Sequence, residues 1–388
     1  MDWLNAENLS DNDRKEVAQL VDLAVKVGGP DDTVERMLDD RLVRLLKERR
    51  DDMIFAFLDG TGVAGSEFLA EAFQRVEGLA ANRLMINKAG AHCWFELGAI
   101  PVIVLSDKDG RVPADFCESE QARTLLAGSF FQHGLLGEGD EVVIVPRLYS
   151  HDFIDDAGFS DIYQLAEEVS KSLRGGVHVP ESEPDSAFAG AELRYLLVGH
   201  LRAKSAAPRP GVHDYWGRGN DAFGKRVDGW LDVADDLLAK CVGMEPGDTV
   251  VGELIHVCGA ARAGEDMFCS NMFDWYTESE FEKAGVKGED VDAHLERVGA
   301  NGRLVAIDVT YRVRASSLTI GTFTCPLPFH VQDNEEAMDF IMPVLTDLGV
   351  RNVTLCGGVK DAVVRECAEQ AEHGFVVKEE DGDRVQLH

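Results

Sequence analysis

Three side chains able to bind a soft metal lie near one another in the chain: His256, Cys258 and Cys269. Strand alternation predicts His256 and Cys258 on one face, and an imidazole with two thiolates would fill three positions of a tetrahedral zinc site. No fourth ligand is evident. Neither Cys258 with Cys269 nor Cys356 with Cys367 has the C-x-x-C form, so the spacing reads as small buried thiols, with no metal expected. A second concentration of chemistry is the segment 211–221, with His213, Asp214 and Arg218 beside Tyr215 and Trp216. Imidazole, carboxylate and guanidinium in one loop can form an acid–base pocket, completed by His256 or His330. Residues 270–276, carrying Phe273, Trp275 and Tyr276, are predicted as a second aromatic loop. The aromatics of both loops suit an interface as well as a plug for the end of a core.

Two glycine motifs raise phosphate binding. Gly60-Thr61-Gly62-Val63-Ala64-Gly65 has the letters of a dinucleotide fingerprint, but the preceding Met53–Leu58 run reads as helix, so the motif is predicted as a helix-to-helix turn with glycine in a left-handed cap. Gly357 and Gly358 follow a predicted strand and precede a helix, an arrangement that can cradle an anion; Asp361 in the first turn opposes it. Hydrolase elbows, H-E-x-x-H and papain-type cysteine contexts are missing from the sequence, and no cofactor is expected.

The elements that position these residues can be read from periodicity. Apolar residues at helical spacing (Val17, Leu20, Val21, Ala24; then Met37, Leu38, Leu42, Leu45) predict a helical region over 1–80, with Asp32 and Glu35 as a capping box. Ala99–Leu105 and Glu141–Pro146 are strand runs around a helix near 119–133, which gives an α/β domain over 81–176. The Pro-, Ser- and acid-rich stretch 177–190 reads as a linker. An α+β domain of the split-βαβ kind follows over 191–388. Strand, proline, helix, strand occurs around Pro101–Val145 and again around Pro326–Cys356, which suggests duplicated lobes.

The composition limits partners. With 70 acidic against 38 basic residues, the net charge of −32 disfavours direct binding to nucleic acid or anionic membrane and favours a basic protein partner. The acidic clusters lack the spacing of a calcium loop and read as solvated surface. The first residues have neither a basic nor an apolar segment, and the cysteines follow no disulfide framework, so a cytoplasmic location is expected.

The order of the segments Ile100–Val104, Val145–Ser150, Glu192–Gly199 and Thr324–Pro328 resembles that of an uncharacterised bacterial domain-of-unknown-function family. The resemblance implies a bacterial cytoplasmic setting and carries over no catalytic residue. The first reading of function is an acidic interaction or assembly protein, able to form homo-oligomers and without a recognisable catalytic motif. The alternatives are an enzyme with a pocket near His213, Asp214 and Arg218, and an acidic nucleic-acid mimic.

Overall fold

The computed structural model describes residues 9–27, 32–86, 90–111, 120–137, 140–175, 187–203, 221–242, 244–245, 247–300, 303–331, 334–356 and 376–379. Helices and two sheets are mixed along the chain, which divides into two compact units, Met1–Gly264 and Glu265–His388. Among the described residues no helix is long and apolar enough to cross a membrane.

The first unit opens with α1 (Asp11–Lys26), α2 (Asp32–Lys47), α3 (Asp51–Ala64) and α4 (Ser66–Ala81). The capping box sits at the start of α1, where Ser10 Oγ accepts from the Asp13 N–H and the Asp13 carboxylate accepts from the Ser10 N–H. The Asp32 side chain of the box expected at α2 lies outside the described residues, and the Glu35 carboxylate meets Arg75 of α4 at 3.0 Å. Gly60 and Gly62 lie inside α3, not in a turn; the chain breaks only at Gly65, in extended backbone. Gly60 serves packing, because a Cβ there would stand 2.7 Å from Val21 Cγ2 on α1. With helix rather than strand before the motif, a phosphate cradle is excluded at this position.

A six-stranded sheet follows, built on β2 (His92–Arg111). One edge of β2 pairs in succession with β1 (Asn82–Ile86), β6 (Ile255–His256) and β5 (Thr249–Val251). The other edge pairs with β4 (Ala187–Ala203), which pairs in turn with β3 (Glu141–Ser150). Every pairing is antiparallel. β2 and β3, joined through α5 (Glu120–Gln132), therefore run parallel but are separated by β4, so the split βαβ arrangement expected of the later domain occurs here. This corrects the expected division at 177–190. β4 starts inside that stretch and supplies a central strand of the first sheet, so the sheet is incomplete without residues assigned to the second domain.

Both faces of β2 are covered. Ile100, Val102 and Val104 pack with Leu196 and Val198 against Leu126 and Phe130 of α5 and Val227, Trp230 and Leu238 of α8 (Asp221–Val242). Trp230 stacks on Phe130 and donates its indole N–H to Ser129 Oγ at 2.9 Å. On the opposite face α7 (Phe159–Gly175) lies close: a Cβ at Gly199 would stand 2.8–2.9 Å from Phe95, Val143 and Val169. Pro101 is tolerated in this buried strand for a local reason. Its carbonyl accepts from Gly252 N at 2.8 Å, so its missing N–H faces the interruption between β5 and β6 instead of the β4 ladder.

The second unit takes in most of α9 (Ala260–Ala284), then β7 (Val291–Ala300), β8 (Arg303–Val313), β9 (Leu318–Pro326), α10 (Asn334–Asp347), β10 (Asn352–Cys356) and β11 (Val376–Glu379). Its sheet runs β11-β10-β7-β8-β9, with β7, β8 and β9 an antiparallel meander and β10 parallel to both β7 and β11. One face holds Ala293, Leu295, Val309 and Tyr311 against Phe273 and Phe281 of α9 and Met338, Ile341 and Leu345 of α10. The two sheets differ in strand order and direction. What the sequence echo reflects is a shared local strand–helix–strand unit, wired into unlike sheets.

One contact tests how tightly the first unit is packed. The Tyr195 hydroxyl donates to the Ala261 carbonyl at 3.2 Å, and because that uses its only proton, His151 Nδ1, 3.0 Å away, must carry the hydrogen of the second bond. The ring held this way fills the space above Gly264, where a Cβ would stand 2.3 Å from the hydroxyl oxygen. Gly264→Ala is expected to cost about 1–3 kcal/mol by overpacking. Gly128→Ala, inside α5 with nothing near its Cβ position, is expected to gain about 0.5–1 kcal/mol. Urea denaturation followed by circular dichroism compares the two.

Candidate functional site

The strand register of the first sheet gathers titratable side chains that are distant in sequence. Glu96 on β2 faces His200 on β4, and Gly98 faces His256 on β6. Residues directly opposite one another project from the same face, and alternation along β2 makes it the face of Ile100 and Val102. Glu96, His200 and His256 are 3%, 2% and 6% exposed. Gly98 lets β6 close in: a Cβ there would stand 2.9 Å from the Ile255 carbonyl oxygen and 2.8 Å from Leu254 Cδ1. Arg202 follows two residues beyond His200 on the same face of β4. At the other end of that face Arg194 pairs with Glu192 at 2.5 Å. The apolar middle of the face is thus bounded by two polar ends.

Asp140, just before β3, brings a second carboxylate to His200, with Oδ2 3.5 Å from Nε2. It is fixed by the Gly137 N–H, which donates to the same oxygen at 2.9 Å. Burial pushes the His200 pKa below its ordinary 6.5, and the neighbouring carboxylate does not restore it. Burial opposes the charge on Asp140, but the bonds from His200 and the Gly137 amide, helped by Arg202, hold its carboxyl below the ordinary value. At neutral pH the pair is a neutral imidazole beside a carboxylate. Such a group can orient or relay a proton, and it can equally fix the end of a sheet.

The zinc set is not assembled. His256 ends β6 in the first unit and Cys258 lies in the 3-10 turn Val257–Gly259, which breaks the alternation that would have aligned the two. Burial raises the Cys258 thiol, whose Sγ lies 3.9 Å from the Glu77 carbonyl oxygen. Cys269 is buried in α9 in the second unit with Cys325 nearby; burial raises both thiols, Cys325 to about 12, so neither is a ready nucleophile. Among the described residues no group of three or more His, Cys, Asp or Glu side chains is arranged to hold a metal. His330 has Nε2 3.3 Å from Asp266 Oδ1 in the second unit.

His213, Asp214, Tyr215, Trp216, Arg218, Gly357 and Gly358 lie outside the described residues. The expected aromatic loop at 270–276 is helix, the middle of α9. Phe273 is buried in the core of the second unit, so it is packing and not a contact residue. Trp275 is half-buried, and Tyr276 is exposed, with its ring tilted 5.3 Å from Phe323 of β9. No protein-family model matches the chain, and no curated protein matches it.

Sequence reasoning passed over β9, the edge strand of the second sheet. It hydrogen-bonds β8 along one side and, among the described residues, no strand along the other. None of Leu318-Thr319-Ile320-Gly321-Thr322-Phe323-Thr324-Cys325-Pro326 is charged, in a chain where 28% of residues are. A bulge at Ile320 interrupts its start, leaving Gly321–Cys325 as a regular ladder. Leu318 at one end and Phe329 just past the other are 64% and 69% exposed. Edge strands are protected against pairing by charge, proline or a bulge; this one carries no charge, and its protection is the bulge at Ile320 and the terminal Pro326.

The depressed His200 pKa gives a stability signature. The unfolded chain takes up the proton near pH 6.5 while the folded chain resists it, so stability is full above that pH and falls as pH drops from about 6.5 toward the folded pKa. Thermal melts between about pH 8 and about pH 5 are expected to show this loss in the wild type and a shallower slope in His200→Asn.

Proposed function

We propose that this chain is an acidic cytoplasmic interaction or assembly protein that engages protein by adding a strand to β9. The observation that supports this reading is the uncharged strand β9, whose outer edge pairs with no strand among the described residues and is bounded by exposed Leu318 and Phe329. Strand addition draws its affinity from main-chain hydrogen bonds and its selectivity from the flanking side chains, so it needs no catalytic group. Direct binding to nucleic acid is opposed by the charge of −32. A second reading, acid–base catalysis, draws on Glu96, His200, Asp140 and His256 and on the fact that β4 leads directly into the segment with His213, Asp214 and Arg218. Their burial weighs toward a positioning role within the sheet.

The interaction reading is tested by recovering tagged full-length chain, with its bound proteins, from the cells that express it. Wild type is expected to carry a stoichiometric protein, another polypeptide or an untagged copy, that is lost from Leu318→Asp/Phe329→Asp and kept by Glu96→Gln. Identical recovery from wild type and the double variant would overturn β9 as the binding edge.

A further inference from the structure

We infer that the folded state of this chain is conditional on ionic strength: its own negative charge opposes the compact form, and electrolyte stabilises it by screening, with no ion held at a site. The net charge of −32 is spread over 20376 Å² of accessible surface, which leaves about 640 Å² per uncompensated charge and a spacing of roughly 25 Å. The screening length decides what this spacing means. At about 0.01 M salt it is about 30 Å, so each charge senses several others; at about 0.15 M it is about 8 Å, and only charges within one element still interact. Unfolding moves like charges apart, so the repulsion weighs more heavily on the folded state.

The ion pairs do not absorb the excess. Arg50 is shared between Asp13 and Asp52, and Arg75 between Glu35 and Asp39, so each guanidinium faces two carboxylates. Elsewhere acids adjoin acids. Burial, and then the charges of Asp161 and Asp52, hold the Asp51 carboxyl above its ordinary value; burial and then Asp236 do the same to Asp235. On α8 the pattern is regular: Val227, Trp230, Ala234 and Leu238 hold the helix to the sheet, while Asp228, Asp232 and Asp236 line the opposite, exposed face at four-residue intervals. None of these three has an ion-pair partner among the described residues. Four residues of helix advance about 6 Å, inside the screening length at about 0.15 M, so this stripe still repels itself where the molecule as a whole is screened.

Thermal melts of the full chain, followed by circular dichroism at about pH 8 where His200 is neutral, test this. Between about 0.01 and about 0.15 M NaCl the wild-type midpoint is expected to rise by roughly 5 °C or more, and to climb more gently beyond. Tetramethylammonium chloride, whose cation is too bulky to seat between carboxylates, is expected to act equally, because screening depends on ionic strength and not on the ion. The triple variant Asp228→Asn/Asp232→Asn/Asp236→Asn removes three negative charges from α8; its gain over wild type is expected to be largest at about 0.01 M and to shrink by about 0.5 M. Lys225→Gln/Lys240→Gln, which removes two positive charges from the same helix, is expected to do the opposite and serves if the triple variant loses its spectrum. A wild-type midpoint that stays level or falls up to about 0.15 M, a rise with NaCl that tetramethylammonium chloride does not reproduce, or variants offset from wild type by the same amount at every salt overturns the proposal.

Discussion

The pairing of β2 with β4 is the constraint on which the first unit depends. It brings together strands from opposite sides of a stretch that contains α5, β3, α6 (His151–Asp155) and α7, and it holds register from Cys93 opposite Ala203 through Ser106 opposite Gly190. Every other element of that sheet is placed by it: β3 on the free edge of β4, the segments β1, β6 and β5 along the free edge of β2. A slip of one residue would turn Ile100 and Val102 away from α5 and α8. It would also separate Glu96 from His200. The polar end of the sheet and its apolar middle are therefore fixed by one register.

The N-terminal helices, the strand runs at Ala99–Leu105 and Glu141–Pro146, and the helix between them were legible because each carries its own period. What was not legible is pairing. β3 and β4 read as members of different domains, since a Pro- and acid-rich stretch precedes β4 and nothing local shows that Leu193–Leu201 finds its partners on both sides in earlier strands. The aromatics of 270–276 looked like a loop because Ser270, Asn271 and Asp274 are weak helix formers; burial of Phe273 and the Thr277–Tyr311 hydroxyl bond override that preference.

The polar site was hidden for the same reason. His256 drew attention through its neighbour Cys258, whereas Glu96, two residues before the Gly98 that His256 faces, sits alone in an apolar run, and its partner His200 closes another. The local signal was a single acid inside Trp94-Phe95-Glu96-Leu97, a group that must find a partner when buried. β9 was missed differently: nothing within Leu318–Pro326 shows its neighbours, and only the full strand order makes it an edge.

Pro101 has a consequence for the chain as it is synthesised. Ala99–Leu105 is an apolar, strand-forming run that emerges well before the β4 residues that will cover one of its edges and the β5 and β6 residues that will border the other. During that interval it has the composition of a segment that nucleates intermolecular β-aggregates. A ring without an N–H breaks such stacking on one edge, while the finished sheet keeps there the bond from Gly252 N to the Pro101 carbonyl, just past the end of β5. The proline thus has the composition of a gatekeeper for the nascent chain, placed where β5 ends and the native edge keeps only the Gly252 bond.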